Sequence, residues 1–334
     1  MRIGRFPMKL FLKNRWFLLL LIGGVGTALI WPHGLQPLTG RLPPLFLVGP
    51  ALFLVAWSLE SARLWQALIR PGPIIWAILI SYGLVPALGW AAEILLADSE
   101  LAIGVMLITS VPCTLASAVL WTRMAGGNEA IALLAILGTT ATGWLVTPLW
   151  LLLTTGTRVD LDPLGMMVEL FLVLAVPVGL GQLTHMLEPL GRFARRNKTG
   201  LGICSQLLIL AVILKAAVDF RLNLEKREGI SGTWFLATGL ICMAIHSIAL
   251  SAGFWSSRRL GFDRPSQIAV AFACSQKTLP VSLYLLETHF RAYPLAVVPL
   301  VFYHAGQLLL DTFIAEKWAA QSSGKSELQA TAGV

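Results

Sequence analysis

The chain has 334 residues, 56% of them hydrophobic and only 13% charged, with a mean hydropathy of +0.75. A soluble domain of that length cannot bury so large an apolar share, so lipid must cover the excess, and a soluble enzyme or nucleic-acid binder is excluded. The net charge of +8 does not reverse this, because the Lys and Arg residues form short clusters between apolar runs instead of a basic face.

In chain order, residues 1–15 form a basic segment (Arg2, Arg5, Lys9, Lys13, Arg15) expected to be cytoplasmic. With the apolar run after it, this segment imitates a secretory leader, yet no Ala-x-Ala cleavage site precedes His33, and a retained first span is expected. Apolar segments then follow at 16–32, 43–60, 73–95, 101–123, 128–154, 163–186, 202–219, 233–256, 266–288 and 294–315. Most reach the roughly 20 residues that a hydrocarbon core about 30 Å thick requires, the first two being shorter. An all-α polytopic membrane protein of about ten transmembrane helices is expected, closed by a flexible tail over 319–334. Gly23, Gly24 and Gly26 lie in an apolar span and suit close helix packing. Cys113, Cys204, Cys242 and Cys274 all fall in apolar segments without metal-ligand spacing and read as small core residues.

Orientation follows from the basic residues. With the N-terminus inside, loops on the inner side hold seventeen Lys and Arg against six on the outer side, Lys215 and Lys277 lying within spans. Both termini are expected in the cytoplasm, with the chain in the plasma (cell inner) membrane. Asn197-Lys198-Thr199 then falls inside, where the sequon is not glycosylated.

Ten spans divide into five and five, and an odd number per half forces the second half to enter the membrane with opposite polarity. The expected units are a first five-helix repeat over 16–156 and an inverted one over 157–318. The fourth span of each half is interrupted by polar residues and proline: Thr109-Ser110-Val111-Pro112-Cys113-Thr114 in one, Ser275-Gln276-Lys277-Thr278-Leu279-Pro280 in the other. Proline alone is weak, since transmembrane helices tolerate it. Matching breaks in two halves point to a substrate site at the midplane of a secondary carrier.

Lys277 is the most informative residue, because an ammonium inside an apolar span requires a partner or a wet cavity. Its charge either binds an anion, stands as a fixed cation, or donates to carbonyls opened by the break. Thr114, Ser117, Ser275, Gln276 and Thr278 supply donors and acceptors for a small cation or a polar solute, or join helix to helix. Half-helix N-termini at the breaks favour an anion. His304 and Gln307 share a face of the last span, with Asp311 beyond them, and are candidates for a proton relay or an interhelical contact. Glu169 and His246 are further ionisable residues within spans, and Lys215 with Asp219 reads as a structural i, i+4 pair. Walker-type, HExxH and GxSxG motifs are absent, so catalysis has no support and no cofactor is expected.

The run Pro112-Cys-Thr-Leu-Ala-Ser-Ala-Val-Leu with Met124-Ala-Gly-Gly-Asn128 resembles the fourth span and following turn of the bile acid:sodium symporter family. Arg258-Arg-Leu-Gly-Phe262, Phe272-Ala-Cys-Ser-Gln-Lys-Thr-Leu279 and Val298-Pro-Leu-Val-Phe-Tyr-His-Ala-Gly-Gln307 are similar to its bacterial SBF-like branch, and the likeness spans about 16 to 318. The resemblance implies a core domain packed on a panel domain, with the broken helices 4 and 9 crossing in the core and alternating access between the domains. It also implies organic anions such as sterol conjugates or small carboxylates as substrates, with sodium as the driving ion. Here Ser117 matches a coordinating serine, but Ala118, Ala132, Ile136 and Ala271 stand where sodium-coupled members carry ion ligands. Loss of a carboxylate beside a gained Lys277 disfavours a bound cation, which suggests that the lysine replaces it. The rival reading is a membrane regulatory or scaffold protein of the same fold that moves no solute; a channel fits less well, since no ring of like charges lines a helix face.

Overall fold

The computed structural model describes residues 19–21, 23–59, 71–96, 99–115, 117–156, 161–225 and 232–332, with backbone alone at 99, 232 and 322–332. The basic segment 1–15, and with it Arg63, Arg70, Arg158, Lys226 and Arg227 of the orientation argument, lies outside the described residues. Among the described residues every regular element is helical. They are α1 (Leu19–Ile30), α2 (Pro32–Thr39), α3 (Leu45–Ser58), α4 (Gly72–Leu95), α5 (Ser99–Ser110), α6 (Ser117–Met124) and α7 (Glu129–Thr155). The second half continues with α8 (Pro163–Met186), α9 (Glu188–Arg196), α10 (Lys198–Leu224), α11 (Gly232–Arg259), α12 (Arg264–Ser275), α13 (Leu279–His289) and α14 (Val297–Ala332).

Among the described residues, seven stretches are long and apolar enough to cross a membrane: α4, α7, α8, α10, α11, α12 with α13, and Pro294–Gln321 at the start of α14. They coincide with the third and the fifth to tenth predicted segments. The other three take different forms. α1 and α2 bend by 110° around Trp31, where Pro32 opens α2 and supplies no N–H to continue α1. α3 has 14 residues, about 21 Å at 1.5 Å per residue, less than a hydrocarbon core of about 30 Å. α5 and α6 are separated by non-helical backbone at Val111 to Leu115. Among the described residues, length and composition therefore give seven spans, or eight with the bent pair, where ten are predicted. α14 runs on to Ala332 through the segment read as a tail.

Side-chain exposure identifies an integral membrane protein. Ile94, Leu153 and Leu164 are 88%, 77% and 73% exposed, within a belt of large outward-facing apolar side chains that a monomeric soluble protein does not carry. Cys204 belongs to this exposed set, whereas Cys113, Cys242 and Cys274 are buried as expected. The most apolar stretch of α12 with α13 is 100% buried, against at most 50% in the other spans. An interrupted helix belongs in such a place, because lipid cannot satisfy open backbone groups.

Two packing groups can be distinguished, joined where α7 packs on α8. α3 packs on α8 and α10, and α10 also on α2. α11 packs on α12 and α14, α12 on α4, α6 and α7, and α5 on α4, α7 and α14. Sharp turns feed the second group: Gly126 and Gly261 have φ of 74° and 75°, the left-handed region that closes a helix C-terminus. After α11 the Phe262 N–H returns to the Ser257 carbonyl at 3.1 Å, satisfying the last turn. Asn128 then caps α7 by accepting from the amides of Ala130 and Ile131 at 3.0 and 3.3 Å.

Candidate functional site: two helix breaks joined at a buried lysine

The break between α12 and α13 leaves residues 276–278 out of the helix. Pro280 lies in the first turn of α13, where its missing N–H costs nothing, so it starts the second half-helix and does not kink a continuous one. The two breaks meet directly: the Thr278 amide donates to the Pro112 carbonyl at 3.0 Å. The Lys277 peptide is held by the Gln307 carboxamide, which accepts from its N–H at 2.9 Å and donates to its carbonyl at 3.0 Å. Gln307 is thus a clamp on the break, and His304 Nδ1 lies 3.1 Å from the same carboxamide nitrogen.

The Lys277 side chain is fully buried. Its Nζ donates to the Ser81 carbonyl at 2.7 Å, the Ser81 hydroxyl at 3.1 Å and the Val111 carbonyl at 3.0 Å, and it stands 5.3 Å from the centre of the Tyr82 ring. Three donors meet three oxygens, with an aromatic face alongside, so the ammonium is compensated on every side. Both carbonyls are released by local irregularity. Val111 lies in the α5–α6 break, and Ser81 lies in a π-helical turn, Ile80–Leu84, where Val85 N–H bonds back to Ile80. Pro86 follows and has no N–H, so the Ser81 and Tyr82 carbonyls find outside donors, Lys277 Nζ and Trp150 Nε1 at 2.7 Å each.

The sequence missed Ser81 and Tyr82, which are far from Lys277 along the chain. A proline shortly after a serine in an apolar span was the available signal.

A second chain of polar groups crosses both breaks. Ser117, at the start of α6, donates to Gln276 Oε1 at 2.6 Å, and Gln276 Nε2 donates to Asp311 Oδ2 at 2.5 Å. The other carboxylate oxygen of Asp311 lies 2.9 Å from His246 Nε2, and His246 Nδ1 lies 3.2 Å from the Ser275 carbonyl. Tyr303 also donates to that carbonyl, at 2.8 Å. Sequence reasoning noted His246 and Asp311 singly; the structure pairs them.

Of the remaining candidates, Ser275 directs its hydroxyl into its own helix, to the Ala271 carbonyl at 2.9 Å. Thr114 and Thr278 sit in the two breaks, and neither hydroxyl is engaged by a described neighbour. His304 contacts Gln307 and is not joined to Asp311, so the structure does not assemble the relay drawn from one helix face. Glu169 of α8 accepts from Tyr284 and lies 3.0 Å from His289, both on α13. Lys215 pairs with Asp219 at 2.6 Å as read, and also with Glu287 of α13 at 2.7 Å. These last groups line a cavity of about 510 Å³ with Arg41 and Arg291.

The carbonyls and hydroxyl that would serve a small cation already hold the ammonium of Lys277, and Ser117 and Gln276 are committed to each other.

Comparison with known proteins places these features in a family. The model of the SBF-like CPA transporter family matches residues 15–320. Mouse sodium/bile acid cotransporter 7 is 24% identical over 317 residues, covering 90% of this chain and 92% of that protein. The zebrafish protein of the same name is 28% identical over 238 residues, 67% of each chain. The putative symporter YfeH of Escherichia coli is 26% identical over 258 residues, 74% of this chain and 75% of that one. A family match over nearly the whole length, on a helical membrane chain whose two breaks meet, establishes that the protein belongs to the SBF-like CPA transporter family.

Proposed function

We propose that the chain is a secondary carrier for an organic anion, working by alternating access, in which the ammonium of Lys277 stands permanently where related carriers hold a driving cation. The observation that carries this reading is the seat of Lys277: a buried ammonium ringed by oxygens of the kind that bind a desolvated cation, at the contact of two helix breaks. On this reading Thr114 and Thr278, with the N-terminal amides of α6 and α13, receive the anion, and the positive ends of both half-helices favour it. Ser117, Ser275 and Gln276 shape the site from behind, while Pro112 and Pro280 set the breaks. The names of several relatives supply the substrate class, bile acids.

The same proposal takes the topology as ten spans in two inverted repeats, 16–156 and 157–318, with both termini in the cytoplasm and the chain in the plasma membrane. Support comes from the matching interruptions, from the basic-residue asymmetry and from the two packing groups. The group around α3, α8 and α10 serves as panel and the group around α4–α7 and α11–α14 as core. Alternating access is movement of one group against the other, and the Lys215–Glu287 pair spans their boundary.

Counterflow in proteoliposomes tests the reading. Wild type should exchange taurocholate or a small carboxylate equally well with and without sodium. Lys277→Met should exchange at least about tenfold more slowly, because one charge-assisted hydrogen bond of about 1.5–3 kcal/mol already corresponds to that factor. If no anion exchanges under any gradient, the carrier reading fails and a regulatory protein of this fold takes its place. Acceleration of wild type by millimolar sodium would defeat the ion-replacement part alone.

A further inference from the structure

We infer that the His246–Asp311 pair is a proton-binding site, and that this carrier moves one proton with each monovalent anion. The inference rests on the carrier reading above and adds the coupling ion to it.

The contacts themselves count the proton. The Ser275 carbonyl can only accept, so His246 Nδ1, at 3.2 Å, carries a hydrogen. His246 Nε2 faces Asp311 Oδ1 at 2.9 Å. Without a hydrogen between them, a lone pair would face a carboxylate oxygen at that distance. One proton therefore lies on this line, as imidazolium beside carboxylate or as neutral imidazole beside carboxylic acid. The orientation of Gln276 agrees. Its oxygen accepts from Ser117 and its nitrogen donates to Asp311 Oδ2, and a reversed amide would set oxygen against carboxylate.

The surroundings isolate this proton. Both side chains are 0% exposed, and the ring of Tyr303 meets that of His246 edge-on at 5.7 Å. Of the other titratable groups, Cys113, Cys274 and Tyr303 face Asp311; further out, Cys242 lies beside Tyr303, His304 is held by Gln307, and Lys277 lies near Cys113 and Cys274. Of these only Lys277 is formally charged in its ordinary state. The pair also sits where the site can sense it, since Asp311 reaches both breaks through Gln276 and Ser117.

Charge bookkeeping then gives the stoichiometry. With the proton in place, the pair is neutral overall and Lys277 leaves the core with one positive charge, which a monovalent anion cancels. After the proton and anion leave, Asp311 and Lys277 cancel each other. Loaded and empty forms are both neutral, so neither carries net charge across the bilayer.

The test uses the full chain reconstituted in lipid. Taurocholate is the probe, since its sulfonate stays ionised as pH changes. In wild type, an inward proton gradient should accumulate it about tenfold per pH unit, with no response to membrane potential. Asp311→Asn and His246→Gln should lose that accumulation. In parallel, nitrogen NMR of the His246 ring should show its protonation pattern change between about pH 5 and 9, and Asp311→Asn should abolish that change. Exchange that ignores the proton gradient overturns the inference and leaves the carrier standing. If taurocholate does not exchange, the carrier reading fails for this anion and the NMR decides the pair: a ring pattern constant across the range overturns the proton site. Should the variants not fold, the wild-type gradient and NMR measurements decide alone.

Discussion

Replacing Lys277 by alanine should turn this protein into one that sodium stabilises. The substitution removes the three hydrogen bonds from Nζ and leaves the Ser81 and Val111 carbonyls buried without a donor. An unsatisfied buried acceptor costs about 1–3 kcal/mol, so the two together cost roughly 2–6 kcal/mol. The same substitution vacates the space of a four-carbon stem and its ammonium, leaving two carbonyls and the Ser81 hydroxyl directed at one point. A cation entering there replaces the lost donors. At a free concentration one hundred times its dissociation constant it returns about 2.7 kcal/mol. Thermal unfolding of the purified protein in detergent, in sodium chloride against choline chloride, reads this directly. The variant should unfold at lower temperature than wild type in choline and recover part of the loss in sodium, while wild type should not distinguish the salts. If the variant is indifferent to sodium, the oxygens around Nζ are not a cation seat. If wild type is itself stabilised by sodium, the ion binds with the lysine in place, and replacement is wrong.

Gln307→Leu removes both hydrogen bonds that clamp the Lys277 peptide and leaves a buried N–H and C=O open, so it should destabilise the protein by about 2–6 kcal/mol; an unfolding midpoint unchanged in detergent would show that the clamp is dispensable. The ten-span topology predicts that single cysteines placed at Arg192 and Arg258 react with membrane-impermeant thiol reagents only from the cytoplasmic side, and those at Arg41 and Arg291 only from the opposite side, in a background where Cys204 is replaced. Reaction of all four from one side would remove the alternating arrangement.

Much of this was open to sequence reasoning because it is local. A span is a run of apolar side chains, and α4, α7, α8, α10 and α11 could be delimited on that ground alone. The breaks were equally legible, since proline beside serine, threonine and glutamine changes backbone hydrogen bonding within a few residues. What escaped were choices settled across the chain. Which oxygens receive Lys277 depends on a π-helical turn at Ile80–Leu84, and no hydrophobic pattern marks a single extra residue in a turn. His246 and Asp311 were each visible as costly intramembrane groups, but Asp311 was set beside neighbours on its own helix and His246 beside none, whereas the partner of each lay on another. Two of the three segments that deviated did so for a related reason. Pro32 redirects α1, and α3 ends after 14 residues, so apolar composition ran on where the helix did not.

The bond from the Thr278 amide to the Pro112 carbonyl joins main chain to main chain. Almost any side chain can therefore change around the crossing without undoing it, and at position 278 only proline would remove the donor. Diversification of what such a protein recognises can proceed through its side chains while the architecture that presents them is inherited intact.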